Sequence, residues 1–415
     1  MKEEKKKASN SAKKDNKKTS EDSANRSVII SLLKIIAVVA VVLILLFIAA
    51  DRFGNITFSS VGDYFSGLVS GSKSGGGYPY YFESSTPENV IKIGNDFLVV
   101  DSDKTYVLDS TAKKICENAH TYSVPLAQSV NSRAVVYDVG GTVYSVVSKT
   151  RLLYENTLDS KIITASLGKD GSVALGVRGT SAMSRLMVYN KSQKVVYDWS
   201  CAKENIISTA VSDNGKRAAV ALIGAENGEL YSKVLVFDFA YSEPVEEYDF
   251  GEKIVSEVKF INGNAILVSG EKVLSFIKGE NDRTDIDLSL NTLSRIFTDS
   301  DNMTVVVLSK YGSSSVSILK AYSKNGKELF STEINSNVRN VSSSGGYISV
   351  LTDRQLLSFN KRGKSVGSSE ISSDGISCFT SGSSTYVLTT GSIEKYKTFG
   401  KSEKAKVLTS TDSER

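Results

Sequence analysis

The chain has 415 residues, with 50 Lys or Arg, 46 Asp or Glu and a single histidine, His120. One histidine and three widely separated cysteines argue against zinc sites built on imidazoles and against catalysis by a Ser-His-Asp or Cys-His arrangement. The net charge of +4 belongs to the N-terminal end, because the first 34 residues sum to +5 and residues 35–415 sum to −1. A nucleic-acid partner is therefore not expected.

Residues 1–27 contain nine Lys or Arg against five acids and no aromatic side chain. Such a segment cannot bury enough apolar surface to order itself, so we predict a disordered basic tail.

A long apolar segment follows, from Val28 to Ala50, interrupted only by Ser31 and Lys34. As a helix it would reach about 35 Å, enough to cross a bilayer, so we predict a transmembrane helix. A cleaved signal peptide is the alternative, but Ile48 stands where a small residue is preferred for cleavage. The basic tail predicts a cytoplasmic N-terminus and a C-terminal domain outside the cell membrane.

Residues 51–77 are predicted to connect the span to the exported domain. Phe58, Val61, Phe65 and Leu68 recur at helical spacing and indicate a short amphipathic helix. Residues 67–77 are rich in Gly and Ser and indicate a linker.

From Tyr78 onward, short runs rich in Val, Ile, Tyr and Thr alternate with Gly, Asn, Asp and Ser turns, which predicts β-strands. Eight similar openings recur about every 41 residues, and each is followed by two further strands. They begin at Val90, Thr121, Ile162, Ile206, Ile254, Leu293, Val338 and Ile376. The pattern predicts an all-β, eight-bladed β-propeller over residues 78–410.

The sequence is compatible with three alternatives. A misassigned opening at Thr121 or Val338 would leave seven blades, and two tandem β-sandwiches would also give closely spaced strands. The outer strand of the last blade has two candidate sources, Tyr78 to Ser84 and Lys404 to Leu408.

The acidic pairs and glycines of the chain fit turns better than catalytic or metal sites. The carboxylate pairs at Asp101 and Asp103, at Asp285 and Asp287 and at Asp299 and Asp301 lack the denser spacing of a calcium loop. The single Trp199 argues against a quinone site locked by repeated tryptophans, and no phosphate-binding glycine loop precedes a helix. We predict no catalytic residue, metal or cofactor. We interpret Cys116, Cys201 and Cys378 as buried small side chains whose pairing stays open.

The fourth unit differs most from the others, with an insertion at residues 224–233 and an acidic segment at 242–250. Insertions on one blade often carry partner contacts. We therefore predict Tyr231, Tyr241 and Tyr248 as candidate partner-binding residues, with structural packing as the alternative.

The order of basic tail, single span, Gly/Ser connector, YPYYFES, IKIGNDFLVVD and TYVLDS resembles a domain-of-unknown-function family. Its members are membrane-anchored, propeller-like proteins of Gram-positive anaerobes. The blades are more distantly similar to quinoprotein-like and WD-repeat propellers. The resemblance implies localisation and fold but no activity.

We therefore predict a single-pass membrane protein whose exported propeller binds an envelope protein or a cell-wall polymer. An envelope glycan hydrolase that uses channel carboxylates is the alternative from another class. A sensor that relays ligand binding across the membrane is a third hypothesis. The sequence does not indicate an oligomeric state.

Overall fold

The structure, a computed structural model, describes residues 75–83, 86–279, 281–288, 290–299, 303–310, 316–372 and 374–402. Within these ranges the regular structure consists of β-strands alone, and no helix there is long and apolar enough to cross a membrane. The predicted tail at 1–27, the predicted transmembrane helix at 28–50 and residues 51–74 of the predicted connector lie outside the described residues.

The strands form eight antiparallel sheets, which are the blades of a propeller. Blade 1 contains β2 (Asn89–Ile93), β3 (Asp96–Val100), β4 (Lys104–Leu108) and β5 (Lys114–Ala119). Blade 2 contains β6 (Pro125–Val130), β7 (Arg133–Asp138), β8 (Val143–Ser148) and β9 (Leu152–Thr157). Blade 3 contains β10 (Ile162–Leu167), β11 (Val173–Arg178), β12 (Ser184–Tyr189) and β13 (Val195–Cys201). Blade 4 contains β14 (Asn205–Val211), β15 (Arg217–Glu226), β16 (Glu229–Asp238) and β17 (Glu246–Gly251).

The second half of the ring repeats this order. Blade 5 contains β18 (Glu257–Asn262), β19 (Ala265–Gly270), β20 (Val273–Ile277) and β21 (Arg283–Asp285). Blade 6 contains β22 (Thr292–Thr298), β23 (Thr304–Ser309), β24 (Ser317–Tyr322) and β25 (Glu328–Ile334). Blade 7 contains β26 (Val338–Ser344), β27 (Tyr347–Thr352), β28 (Gln355–Asn360) and β29 (Ser365–Glu370). Blade 8 contains β30 (Ser377–Ser381), β31 (Ser384–Leu388), β32 (Ser392–Lys397) and, as its fourth strand, β1 (Tyr80–Tyr81).

Burial follows the position of each strand in its blade. First strands of neighbouring blades contact each other, as β10 does with β14, so they surround the central axis. Second and third strands such as β19 and β20 are buried along their whole length, because neighbouring blades cover both of their faces. Fourth strands such as β13 carry mostly exposed residues, because they form the outer edge of the ring.

The eight-bladed prediction is confirmed, and the seven-bladed alternative is wrong. Each predicted opening falls within four residues of the first strand of a blade. The largest difference is in blade 2, where Thr121 belongs to the connection and the strand begins at Pro125. The backbone N–H groups of Ser123 and Val124 donate to Oδ1 of Asp138, which keeps that stretch out of the sheet.

The ring closes through its N-terminal segment. Tyr80 pairs with Ile393 and Tyr81 with Ser392, so β1 completes blade 8 in antiparallel pairing. The other candidate, Lys404 to Leu408, lies outside the described residues. A short last strand, β33 (Gly400–Ser402), pairs in parallel with β29 of blade 7.

An aromatic cluster fills the seam between blades 8 and 1. The ring of Phe97 lies 4.8 Å from that of Tyr386, 5.6 Å from that of Phe379 and 6.2 Å from that of Tyr78. Nζ of Lys92 also donates to the carbonyl oxygen of Thr380 across the seam, at 2.8 Å. The closure is thus made by packing as well as by strand pairing.

The hairpin turn between third and fourth strands recurs with the same geometry in several blades. Asn190 Oδ1 accepts hydrogen bonds from the backbone N–H groups of Ser192 and Lys194, and Asn360 does the same two and four residues on. The fourth turn residue has a positive φ, as at Ala112, Gln193, Gly326 and Gly363. The Asn and Gly turns expected between strands thus occupy these positions, where the Asn side chain bonds to the turn backbone and the last turn residue takes a positive φ.

One of these positions yields a stability prediction. Gln193 has φ of 62°, a left-handed conformation that costs a residue with a Cβ about 1–2 kcal/mol. Glycine would remove this cost, but its greater backbone entropy in the unfolded chain offsets part of the benefit. Gln193→Gly should therefore raise the free energy of unfolding by about 0.5–1 kcal/mol in urea titrations. Ser192→Gly, in the same turn without positive φ, is the control and should give no gain. Equal effects of the two substitutions would contradict the explanation.

Candidate functional site

The meander order gives the propeller two distinct faces. One face carries the turns between first and second strands and between third and fourth strands. We name it the N-terminal face, because the backbone N–H groups of Gly75 and Gly77 donate to Thr111 in such a turn of blade 1. The opposite face carries the turns between second and third strands and the connections between blades.

The longest hairpin of the ring projects on the opposite face at blade 4. Its strands β15 and β16 have ten residues each, whereas the second and third strands of the other blades have five or six. Asn227 and Gly228 form its two-residue turn with φ of 52° and 87°, the combination typical of a tight hairpin. The insertion noted in the sequence is this extension.

A cavity of about 420 Å³ lies beside the hairpin. Its lining combines the exposed Leu230 and the ring of Tyr231 with six acidic residues and a single lysine. The charged residues are Glu204, Glu226, Glu229, Glu247, Asp249, Glu252 and Lys233. So many carboxylates around one concave surface produce a negative potential that favours cationic ligands.

Glu204 lies at the inner wall of this cavity and is only 6% exposed. Its carboxylate accepts hydrogen bonds from Cys201 Sγ at 2.9 Å, from the Tyr231 hydroxyl at 2.9 Å and from Lys233 Nζ at 3.0 Å. Burial alone would raise the pKa of Glu204, but these three donors together lower it. Glu204 is therefore held as an anion, and the pKa of Lys233 is raised in return despite its own partial burial.

The lowered pKa of Glu204 predicts a pH dependence of stability. A carboxyl group whose pKa is lower in the folded state stabilises the fold above its unfolded pKa, and this contribution is lost as the pH falls through the folded value. The free energy of unfolding should thus decrease as the pH drops below about 4.5. The free energy of unfolding of the Glu204→Gln variant should decrease less over the same range. Chemical denaturation at several pH values measures both, and identical pH profiles would contradict the role given to Glu204.

Gly224 makes room for the tyrosine. In the register of the hairpin Gly224 pairs with Tyr231, and a Cβ at position 224 would lie 2.5 Å from the ring carbon Cζ of Tyr231. A side chain there would force the ring of Tyr231 to shift from the position in which its hydroxyl donates to Glu204. The position of Tyr231 in the cavity therefore depends on a glycine in the facing strand.

The three tyrosines predicted to bind a partner lie in three different places in the structure. Tyr231 lines the cavity. Tyr241 is 63% exposed but lies in the turn between β16 and β17, on the N-terminal face. Tyr248 is buried between blades 4 and 5 and donates its hydroxyl to Glu246. Only Tyr231 therefore lies among the acidic residues, and its role in binding stays a prediction.

Other residues singled out in the sequence have local structural partners. His120 stacks on Tyr122 with 4.6 Å between ring centroids, and burial lowers its pKa. The three cysteines are free thiols, with Cys201 and Cys378 buried. Asp285 pairs with Arg283 and also accepts a hydrogen bond from Ser275. Among the residues that the structure describes, no cluster of three or more His, Cys, Asp or Glu is placed to hold a metal ion.

Comparison with known proteins identifies both a family and a fold. The model of a family of unknown function, DUF5711, matches residues 80–397, from the closing strand to the end of β32. No curated protein matches the chain in sequence.

Solved propellers resemble the chain in fold. The C-terminal WD40 domain of Sif2 has a TM-score of 0.53 at 13% identity and covers 76% of this chain and 98% of its own. Chaetomium thermophilum Sqt1, bound to the N-terminus of ribosomal protein L10, has a TM-score of 0.50 at 12% identity, with 73% and 93% covered. BamB from Moraxella catarrhalis has a TM-score of 0.49 at 11% identity, with 77% and 99% covered.

Proposed function

This chain belongs to the DUF5711 family of unknown function, and we propose that it is a membrane-anchored extracytoplasmic module that binds a cationic segment of an envelope protein. The observation that carries the proposal is the acidic cavity of blade 4. Its lining joins an aromatic ring and an apolar side chain to six acidic residues. An extended peptide with Lys or Arg flanking an apolar residue fits these groups.

Two observations support a binding role over the alternative function, an envelope glycan hydrolase. A glycosidase needs one carboxylic acid that keeps its proton, next to a second carboxylate. Glu204, the buried carboxylate of the cavity, has a lowered pKa and three hydrogen-bond donors, so it suits charge pairing better than proton donation. Sqt1 is described bound to the N-terminus of another protein, so a peptide segment is a ligand that a ring of this fold can hold.

The proposed location rests on residues 28–50 and on the basic residues that precede them. A segment of this length and hydropathy spans a bilayer, and an excess of Lys and Arg marks the cytoplasmic side. The propeller would then lie outside the cell membrane, where the partners within its reach are other envelope proteins or cell-wall polymers. The negative cavity favours a basic protein segment over an anionic wall polymer.

A peptide-binding experiment tests the proposal. The full chain in detergent micelles should bind a fluorescent peptide of ten lysines with a single tyrosine, and added salt should weaken the binding. Charge reversal at the exposed Glu226, Glu229 and Glu252 should weaken it at least about tenfold, because each close cation–carboxylate contact is worth about 1 kcal/mol or more.

Two matched variants sharpen the result. Reversal of Glu88, Asp103 and Glu370 makes the same charge change at exposed positions near blades 1 and 7, on the same face as the cavity but in other blades, and it should leave the affinity unchanged. Gly224→Ala should weaken binding by moving the ring of Tyr231 while preserving every charge. Equal losses from the two charge-reversed triples, or no saturable binding, would overturn the proposal.

A further inference from the structure

The N-terminal face carries a second charged surface, of opposite sign to the cavity of blade 4. Basic residues recur in the turns between third and fourth strands: Lys113 in blade 1, Lys149 and Arg151 in blade 2, Lys191 and Lys194 in blade 3, Lys324 and Lys327 in blade 6, and Lys361, Arg362 and Lys364 in blade 7. The recurrence follows from the repeated hairpin sequence, whose turn combines Asn or Ser with Lys and Gly.

The two neighbouring turns of blades 6 and 7 form the densest part of this surface. We define the basic patch as Lys324, Lys327, Lys361, Arg362 and Lys364. All five side chains are exposed and none forms an ion pair with the residues that the structure describes. The two turns, 323–327 and 360–364, contain no acidic residue.

A concave surface lies within the basic patch. A cavity of about 540 Å³ is lined by Lys324, Lys361 and Arg362 together with Leu329, and an adjoining one of about 340 Å³ shares Lys361 and Arg362. Leu329 is 45% exposed, so an apolar side chain stands beside the cations. The acid in the wall, Asp299, is 8% exposed and accepts hydrogen bonds from the Met303 N–H and the Ser343 hydroxyl.

Residues 75–78 lie on this same face. Gly75 N–H donates to Oγ1 of Thr111 at 2.8 Å, Gly77 N–H donates to the Thr111 carbonyl at 3.0 Å, and the Tyr78 hydroxyl donates to the Asp109 carbonyl at 2.9 Å. These contacts fix the first described residues against a turn of blade 1. Only residues 51–74 separate them from the predicted transmembrane segment, so a tether to the membrane would pull on the N-terminal face.

We infer that the basic patch docks on the anionic phospholipid headgroups of the membrane that holds the chain. This inference rests on the membrane anchor of the proposed function, because Gly75 and Gly77, which lead toward the predicted anchor, lie on the N-terminal face. Lys and Arg near an anionic bilayer each strengthen binding about fivefold, ~1 kcal/mol, and the attraction acts within about 8 Å at physiological salt. Docking by this face directs the acidic cavity of blade 4 away from the membrane, where a protein partner can reach it.

Hydrogen exchange of the full chain in lipid nanodiscs tests the inference. Backbone amides of the turns 323–327 and 360–364 should exchange at least about fivefold more slowly in phosphatidylglycerol discs than in phosphatidylcholine discs, and 0.5 M salt should remove the difference. The triple variant Lys361→Glu, Arg362→Glu and Lys364→Glu should lose the protection.

The matched control reverses Lys161, Lys203 and Arg354, which are exposed on the opposite face, and it should keep the protection. Equal exchange rates in both kinds of disc, or an equal loss of protection in the patch variant and in the control variant, would overturn the docking. Binding of the patch to soluble polyphosphate as tightly as to phosphatidylglycerol would assign it to a soluble polyanion instead. A chain that copurifies with neither disc would contradict the anchor, and sedimentation with preformed phosphatidylglycerol vesicles would then decide the docking separately.

Discussion

Replacement of Phe97 by alanine is expected to lower the free energy of unfolding by about 3–5 kcal/mol, the usual cost of removing a large buried aromatic ring. The side chain of Phe97 is fully buried in β3 of blade 1. Its ring packs against Tyr78 from the N-terminal segment and against Phe379 and Tyr386 from blade 8. The substitution therefore removes the contact that joins the two ends of the ring, in addition to opening a cavity.

The comparison with Phe276→Ala separates these two effects. Phe276 is 2% exposed and packs on Tyr322 between blades 5 and 6, away from the seam. Both variants should lose several kcal/mol in urea titrations, but only Phe97→Ala should accelerate amide exchange in Tyr80–Phe82 under native conditions. Unchanged exchange there would show that β1 holds its place without the aromatic cluster.

The second large effect is expected from Glu204→Leu, which should lower the free energy of unfolding by about 2–4 kcal/mol. The substitution leaves the partly buried Lys233 without its closest carboxylate, and it removes the acceptor of the Cys201 thiol and the Tyr231 hydroxyl. Breaking one side of a buried pair costs more than removing both partners. The double variant Glu204→Leu/Lys233→Met should therefore recover most of the loss.

Glu247→Gln is the control for this pair. Glu247 also lies near Lys233, at 3.4 Å, but its side chain is 58% exposed, so its removal should cost less than about 1 kcal/mol. If the double variant were as unstable as Glu204→Leu alone, or if Glu247→Gln cost as much, the buried pair would not be the source of the effect.

The blade number was predictable from the sequence because each blade repeats the same local pattern of strand and turn residues. The alternation of apolar residues from Ile162 or Val338, and the Asn-Lys-x-Gly turn at Asn360, act within a few residues of the chain. The closure was not predictable in this way. Tyr78–Ser84 and Lys404–Leu408 both have strand patterns, and the choice between them depends on packing against Phe97, hundreds of residues from the C-terminal candidate.

The candidate site was predictable only in part. The insertion around Tyr231 marked the long hairpin, but nothing nearby in sequence singled out Glu204, whose burial depends on Tyr231 and Lys233 folding back over it. The role of Gly224 appears only once the register with Tyr231 is known. Tyr248 was predicted to bind a partner but is buried in the structure. The alternation of residues in its strand shows which side Tyr248 faces, but the burial of that side by blade 5 depends on the tertiary fold.

Photo-crosslinking in intact cells tests the central claim most directly. A photoreactive residue replacing Leu230, which is 54% exposed at the cavity, should give a discrete adduct with an envelope protein. The same residue at Leu290, which is 77% exposed in the connection between blades 5 and 6, should give none. The adduct at position 230 should disappear when Glu226, Glu229 and Glu252 are reversed to lysine. Absence of any adduct at 230, or the same adducts at 230 and 290, would contradict a partner-binding role for the cavity of blade 4.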